Sequence, residues 1–188
     1  MTNQCFTRDT LVSIEDGLRP IEEIQAGDYV WSENTETGEK ELKKVLSVSV
    51  TETKALVHVM TENSTVINTT ENHPFYVEGK GWCAVAELDD GDVLQTQDGE
   101  TETVSDVEVE QLEEAVKVYN LEIEDSHTYY VSADKVLVHN GCEDEIVEAT
   151  QKYENLQCVE MAEEVQGIIL KAGGTGYLVE IHADTPYI

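Results

Sequence analysis

The feature that most restricts how this chain can fold is a repeat. Ile21-x-x-Ile24-x-x-Gly27-Asp28-x-Val30 has the same spacing as Val85-x-x-Leu88-x-x-Gly91-Asp92-x-Leu94. Each copy places a Gly-Asp turn ahead of an apolar strand, a pattern too specific for composition alone. A second echo pairs His73-Pro74-Phe75-Tyr76-Val77 with His127-Thr128-Tyr129-Tyr130-Val131, a histidine opening an aromatic strand each time. Two related β halves bring equivalent positions face to face about a pseudo-twofold axis. His73 and His127 are therefore expected to converge on one cleft.

Between these landmarks run alternating stretches, among them Val45–Val50, Ala55–Val59 and Val116–Ile123, rich in the β-branched and aromatic residues that suit half-buried strands. Turns are expected at Glu15-Asp16-Gly17, Glu36-Thr37-Gly38, Glu78-Gly79-Lys80-Gly81 and Asp98-Gly99. Up to Asn140 the chain reads as all-β. After Gly141 the texture changes: Glu143, Asp144 and Glu145 suit the first turn of a helix with Ile146, Ala149 and Tyr153 on one face. Asn155 caps a second expected helix striped by Cys158, Ala162, Val165, Ile169 and Ala172, which Gly173-Gly174 ends before a strand at 177–182. A length of 188 residues suits one full core and a partial second unit. The expected division is an upstream flank at 1–4, a β domain at 5–140, and a short α+β extension at 141–188 that begins a further domain.

A formal charge of -29 with no basic cluster disfavours nucleic acid as a partner. No apolar run approaches the ~20 residues of a membrane span, and no export signal is readable. Cys5, Cys83, Cys142 and Cys158 are too few and too irregularly spaced for a disulfide framework or paired zinc ligands.

The chemistry-bearing residues sit at the ends of the β region. Val136-Leu137-Val138 delivers His139 and Asn140 to the end of a buried strand, and Gly141 follows at once. Asn-Gly closes readily into a ring, because glycine does not hinder approach to the backbone. A hairpin turn would need a second apolar strand, whereas Cys142-Glu143-Asp144-Glu145 comes next. With Cys5-Phe6 at the start, Thr70-Glu71-Asn72-His73-Pro74-Phe75 in the middle and His127 to Asn140 at the end, the chain resembles a Hint domain, the self-cleaving module shared by inteins and hedgehog proteins. The resemblance covers Cys5 to Asn140 and implies the two-halved Hint β fold without an inserted endonuclease.

The resemblance also implies a reaction needing no cofactor. The Cys5 thiolate attacks the carbonyl carbon of Gln4 and turns the amide into a thioester, with Thr70 and His73 assisting. The Asn140 side chain then attacks its own carbonyl, assisted by His139 and His127, and frees Gly141 as a new N-terminus. The substrates are the chain's own flanking segments. Splicing relatives carry Cys, Ser or Thr directly after the final Asn, whereas here Gly141 stands there and Cys142 one place on. That departure resembles bacterial intein-like modules placed ahead of toxin domains in larger exported proteins, which implies an immunity protein as a further partner. Tyr153 to Ala162 resembles the opening of papain-fold toxin domains and makes Cys158 a candidate downstream nucleophile. Two rival readings are splicing through Cys142 and a structural or inhibitory zinc held by Cys5, His73, His127 and His139, ligand types that tetrahedral zinc accepts.

Overall fold

The computed structural model describes residues 4–140. The helices and strand expected in 141–188, with Gly141, Cys142 and Cys158, lie outside the described residues. The rest is β structure with two single 3-10 turns, Ile21–Glu23 and Val85–Glu87. In chain order the strands are β1 (Phe6–Thr7), β2 (Leu11–Ile14), β3 (Gly17–Pro20), β4 (Tyr29–Asn34), β5 (Glu39–Thr61), β6 (Val66–Thr69), β7 (Pro74–Val77), β8 (Gly81–Ala84), β9 (Val93–Gln95), β10 (Thr101–Ile123), β11 (Thr128–Val131) and β12 (Val136–His139).

The repeat is structural. In each half a hairpin (β2–β3 or β7–β8) leads through a 3-10 turn into the Gly-Asp turn and a strand. Gly27 donates to Val45 O and Val45 returns a bond to Asp28 O, both at 2.8 Å; Gly91, Val104 and Asp92 repeat this pair at 2.8 Å. Asp28 Oδ2 accepts from the Gln25 N–H at 2.9 Å, and Asp92 Oδ2 from the Asp89 N–H at 3.0 Å. Both turns need a positive φ, +99° at Gly27 and +91° at Gly91, which glycine adopts without steric cost. The Gly-Asp dipeptide is thus a local instruction executed twice.

The second echo does not follow the same symmetry. The N–H of Ile21 donates to Thr10 O at 2.8 Å and that of Val85 to His73 O at 3.0 Å, so the repeat counterpart of His73 is Thr10. His127 comes after a long strand and a short turn and stands just before β11, as Thr65 stands before β6. The two histidines are not equivalents. They are brought together differently: β12 pairs antiparallel with both β11 (Thr128↔His139) and β7 (Val138↔Phe75). The last residues of β12 therefore lie between the first residues of β7 and β11.

The short alternating runs also merge. Val45–Val50 and Ala55–Val59 belong to one 23-residue strand, β5, which pairs antiparallel with the 23-residue β10 from Thr61↔Val104 to Val45↔Ile123. Within β5, Thr51, Glu52 and Lys54 are exposed and Thr53 is half-buried, so the apolar alternation lapses there while the ladder continues. A register shift between Gln111 and Val116 absorbs extra residues there. The main core gathers Phe6, Phe75, Leu94, Leu121, Tyr129 and Val138 from both halves, and a smaller cluster holds Cys5 with Leu56 and Val118.

Candidate functional site

Cys5 is buried just before β1, on the face opposite Phe6, as strand alternation requires. Its peptide is held from β6 and the turn after it. The Cys5 N–H donates to Thr70 Oγ1 at 2.9 Å, while Cys5 O accepts from the Thr70 N–H at 3.0 Å and from Thr69 Oγ1 at 2.9 Å. The nitrogen so held is that of the Gln4–Cys5 bond. Thr70 lies where the sequence places it; Thr69 was not foreseen. Neighbours in a strand usually face apart, and only the strand's end at Thr69 lets both hydroxyls meet one peptide.

His73 follows a tight turn closed by its own N–H to Thr70 O at 3.1 Å, and is fully buried. Its ring packs on Phe6 with centroids 4.0 Å apart and meets the edge of Phe75. Burial first, then the neighbouring His139, pull its pKa down to about 3 against an opposing pull from the Gln4 backbone. Neither ring nitrogen completes a hydrogen bond of good geometry, so the Gln4 carbonyl is a neighbour rather than a firm partner. The imidazole is neutral at physiological pH and lies beside the Gln4–Cys5 junction. Burial also pushes the Cys5 thiol up to about 12. The resting pair is thiol and neutral imidazole.

At the other end, His127 takes a left-handed backbone conformation with φ +51°, at a cost of roughly 1–2 kcal/mol for a residue with a side chain. Its carbonyl accepts the Asn140 N–H at 2.8 Å, and its ring lies 6.4 Å from that of His139, centroid to centroid. His139 in turn meets Trp82 of β8, with centroids 5.0 Å apart, a contact that no local pattern announces. Both polar atoms of the Asn140 amide are buried without a hydrogen-bond partner. Such an atom costs roughly 1–3 kcal/mol, and it leaves the amide unrestrained for another use.

Asn120 of β10 comes opposite Cys5, one residue beyond the Phe6↔Tyr119 pair. Its Oδ1 accepts from the Leu121 N–H at 3.0 Å and the Tyr129 hydroxyl at 3.1 Å, and burial holds the phenol neutral by pushing its pKa well up. His58, away from the site, is tied to Asn68 at 2.7 Å and Glu110 at 3.0 Å. Among the described residues no group of three or more His, Cys, Asp or Glu side chains is arranged to hold a metal ion.

The arrangement has relatives. A family model of the pretoxin HINT domain matches residues 11–141, beginning after Cys5 and ending one residue past Asn140. The solution structure of a bacterial intein-like domain from Clostridium thermocellum is 40% identical with a TM-score of 0.70, over 73% of this chain and 99% of that one. The DnaB intein of Synechocystis sp. PCC 6803, at 20% identity and a TM-score of 0.63 over 73% of this chain and 99% of its own, shares the fold. No curated protein matches the sequence.

Proposed function

The chain belongs to the pretoxin HINT family, whose intein-like members process their own polypeptide, and from that premise we propose that residues 5–140 cut the bonds at both of their ends. At the upstream end the Cys5 proton passes to His73, and Sγ adds to the Gln4 carbonyl carbon. The C–N bond then breaks as His73 returns the proton to the departing nitrogen, leaving a thioester. Thr70 and Thr69 hold the peptide plane during this step. At the downstream end Asn140 Nδ2 attacks its own carbonyl carbon. The bond to Gly141 breaks, a succinimide remains, and the Gly141 amine takes up a proton, with His139 and His127 as the nearby proton carriers. The chain acts once on itself.

The observation that carries this reading is the position of Asn140. Its amide is buried and unpartnered at the end of β12, between the strand starts that bring in His73 and His127. A surface Asn-Gly turn would leave that amide in water. What is freed is the segment from Gly141 to Ile188, which its likeness to papain-fold toxin openings marks as the head of a toxin-like domain with Cys158 as its nucleophile and an immunity protein as its partner. Intact mass of the purified full chain tests the reading: a fragment beginning at Gly141 is expected and should vanish in Asn140→Ala. Its persistence in that variant would sink ring closure as the mechanism.

A further inference from the structure

Glu33 is the one residue of β4 whose carboxylate is taken out of water, and its bonds lead to the strand that carries His127. The Tyr130 hydroxyl donates to Glu33 Oε2, Gln95 Nε2 donates to Oε1 at 2.6 Å, and Lys40 Nζ lies 3.6 Å from Oε2. The Glu33 backbone is engaged as well. Its N–H donates to Thr128 Oγ1 at 3.0 Å, and its carbonyl accepts from the same hydroxyl at 2.7 Å. A hydroxyl has one proton and two acceptor sites, so the 2.9 Å contact between Ser32 Oγ and Thr128 Oγ1 must have Ser32 donating. Thr128 is then saturated. Its side chain substitutes for a rung of backbone ladder between β4 and β11, which are not hydrogen-bonded neighbours in the sheet.

That rung matters because β11 is a four-residue strand entered through the left-handed His127 and left through the left-handed Ser132, with φ +51° and +73°. Thr128 and Tyr130 are two apart and so share a face, and both turn to Glu33. Across β11 the partner of Thr128 is His139, and the preceding residue, His127, accepts the Asn140 N–H. We infer that Glu33, acting through Thr128 and Tyr130, is a positioning residue for the downstream step: it holds β11 in the register that sets His127 against Asn140. The inference rests on the self-processing reading for its consequence, though not for its geometry. Glu33 touches no reacting atom. Among the described residues, the hydrogen bonds that hold the upstream junction come from Thr69 of β6 and from Thr70 just after it, not from Glu33, Thr128 or Tyr130.

The test uses the full chain with a tag upstream of Gln4 and follows both junctions in one sample. Thr128→Val and Glu33→Gln should slow appearance of the Gly141 fragment by tenfold or more, while thiol-induced scission before Cys5 stays within twofold. Thr128→Ser, which keeps the hydroxyl, should restore the downstream rate to within threefold. Equal slowing of both junctions, or an unchanged downstream rate, would overturn the inference. A readout independent of cleavage is amide hydrogen exchange at position 140 in an Asn140→Ala background. Protection there should fall by tenfold or more when Thr128→Val is added and return with Thr128→Ser. If exchange responds this way in a chain whose parent never releases the fragment, the self-processing reading fails while the positioning role stands. If protection is unchanged, the positioning role fails whatever the cleavage rates.

Discussion

Acidification should destabilise this fold through His73, by an amount that the structure sets. The imidazole has a pKa of about 3 in the folded chain against 6.5 when free in water, because burial and the nearby His139 disfavour its charged form. Between those two values the unfolded chain binds the proton and the folded chain does not, so stability falls as pH falls. The contribution is fully present above about 6.5 and is lost progressively toward 3. Three and a half pH units at about 1.36 kcal/mol each come to roughly 5 kcal/mol, of which about 3 kcal/mol is gone by pH 4. The measurement is urea unfolding from pH 7 to pH 4 on the full chain carrying Asn140→Ala, which keeps it intact. The many carboxylates of this chain also titrate in that range, so the quantity to follow is the difference from the same chain with His73→Leu added. That difference should shrink by about 3 kcal/mol as the pH is lowered. A difference constant to within about 0.5 kcal/mol would show that His73 is not held neutral by burial, and would remove the physical basis for its acting as a base beside Gln4.

Cys5 carries the opposite sign. Its thiol stays protonated in the folded chain to about 12 against 9.0 when free, so stability should decline as pH rises above about 9. With neutral His73 taking the Cys5 proton within the site, scission before Cys5 at saturating added thiolate should stay within about threefold from pH 7 to 9, and a rise of about tenfold per pH unit would show that the thiol must first ionise to solvent. Thr70→Val removes the acceptor of the Cys5 N–H. An unsatisfied buried donor costs roughly 1–3 kcal/mol, so upstream scission should slow by about 5- to 150-fold, and an unchanged rate would show that the hydroxyl does not hold the junction. Gly141 offers no nucleophile to receive an acyl group, and Cys142 stands up to ~3.6 Å further along the chain, as much as the ~3–3.5 Å at which reacting atoms must meet. With tags at both ends, separated fragments should dominate and Gly141→Cys should raise the ligated product. Abundant ligation by the unchanged chain, lost on Cys142→Ala, would refute this.

Much of the candidate site could be read without coordinates because each member announces itself locally. Cys5, the Thr70-to-His73 run, His127 and the His139-Asn140-Gly141 ending are residue types whose reactivity is intrinsic, set beside strands that alternation makes plain. The helpers could not be read that way. Thr69, Trp82 and Glu33 are ordinary residues in ordinary strands. They acquire roles only through contacts with Cys5, His139 and β11 across long stretches of chain.

The sequence by itself determined what short-range chemistry controls. The two Gly-Asp turns follow from a positive φ that glycine adopts freely and a carboxylate that accepts the N–H three residues back. The β character follows from alternation, and the candidate reactive ends follow from thiol, imidazole and amide. Only the tertiary structure decided which ends meet. Nothing local distinguishes His73 pairing by repeat with His127 from its true counterpart, Thr10. Nor does local pattern show that β5 and β10 continue as single strands through their polar middles, because exposed pairs such as Thr51-Glu52 and Glu113-Glu114 leave no hydrophobic signature. Above all, β12 had to find β7 on one side and β11 on the other before Asn140 could lie between the histidines. That choice is made by burying Phe75, Tyr129 and Val138 in a shared core. Such burial is non-directional, and strand order emerges only when the whole sheet is assembled.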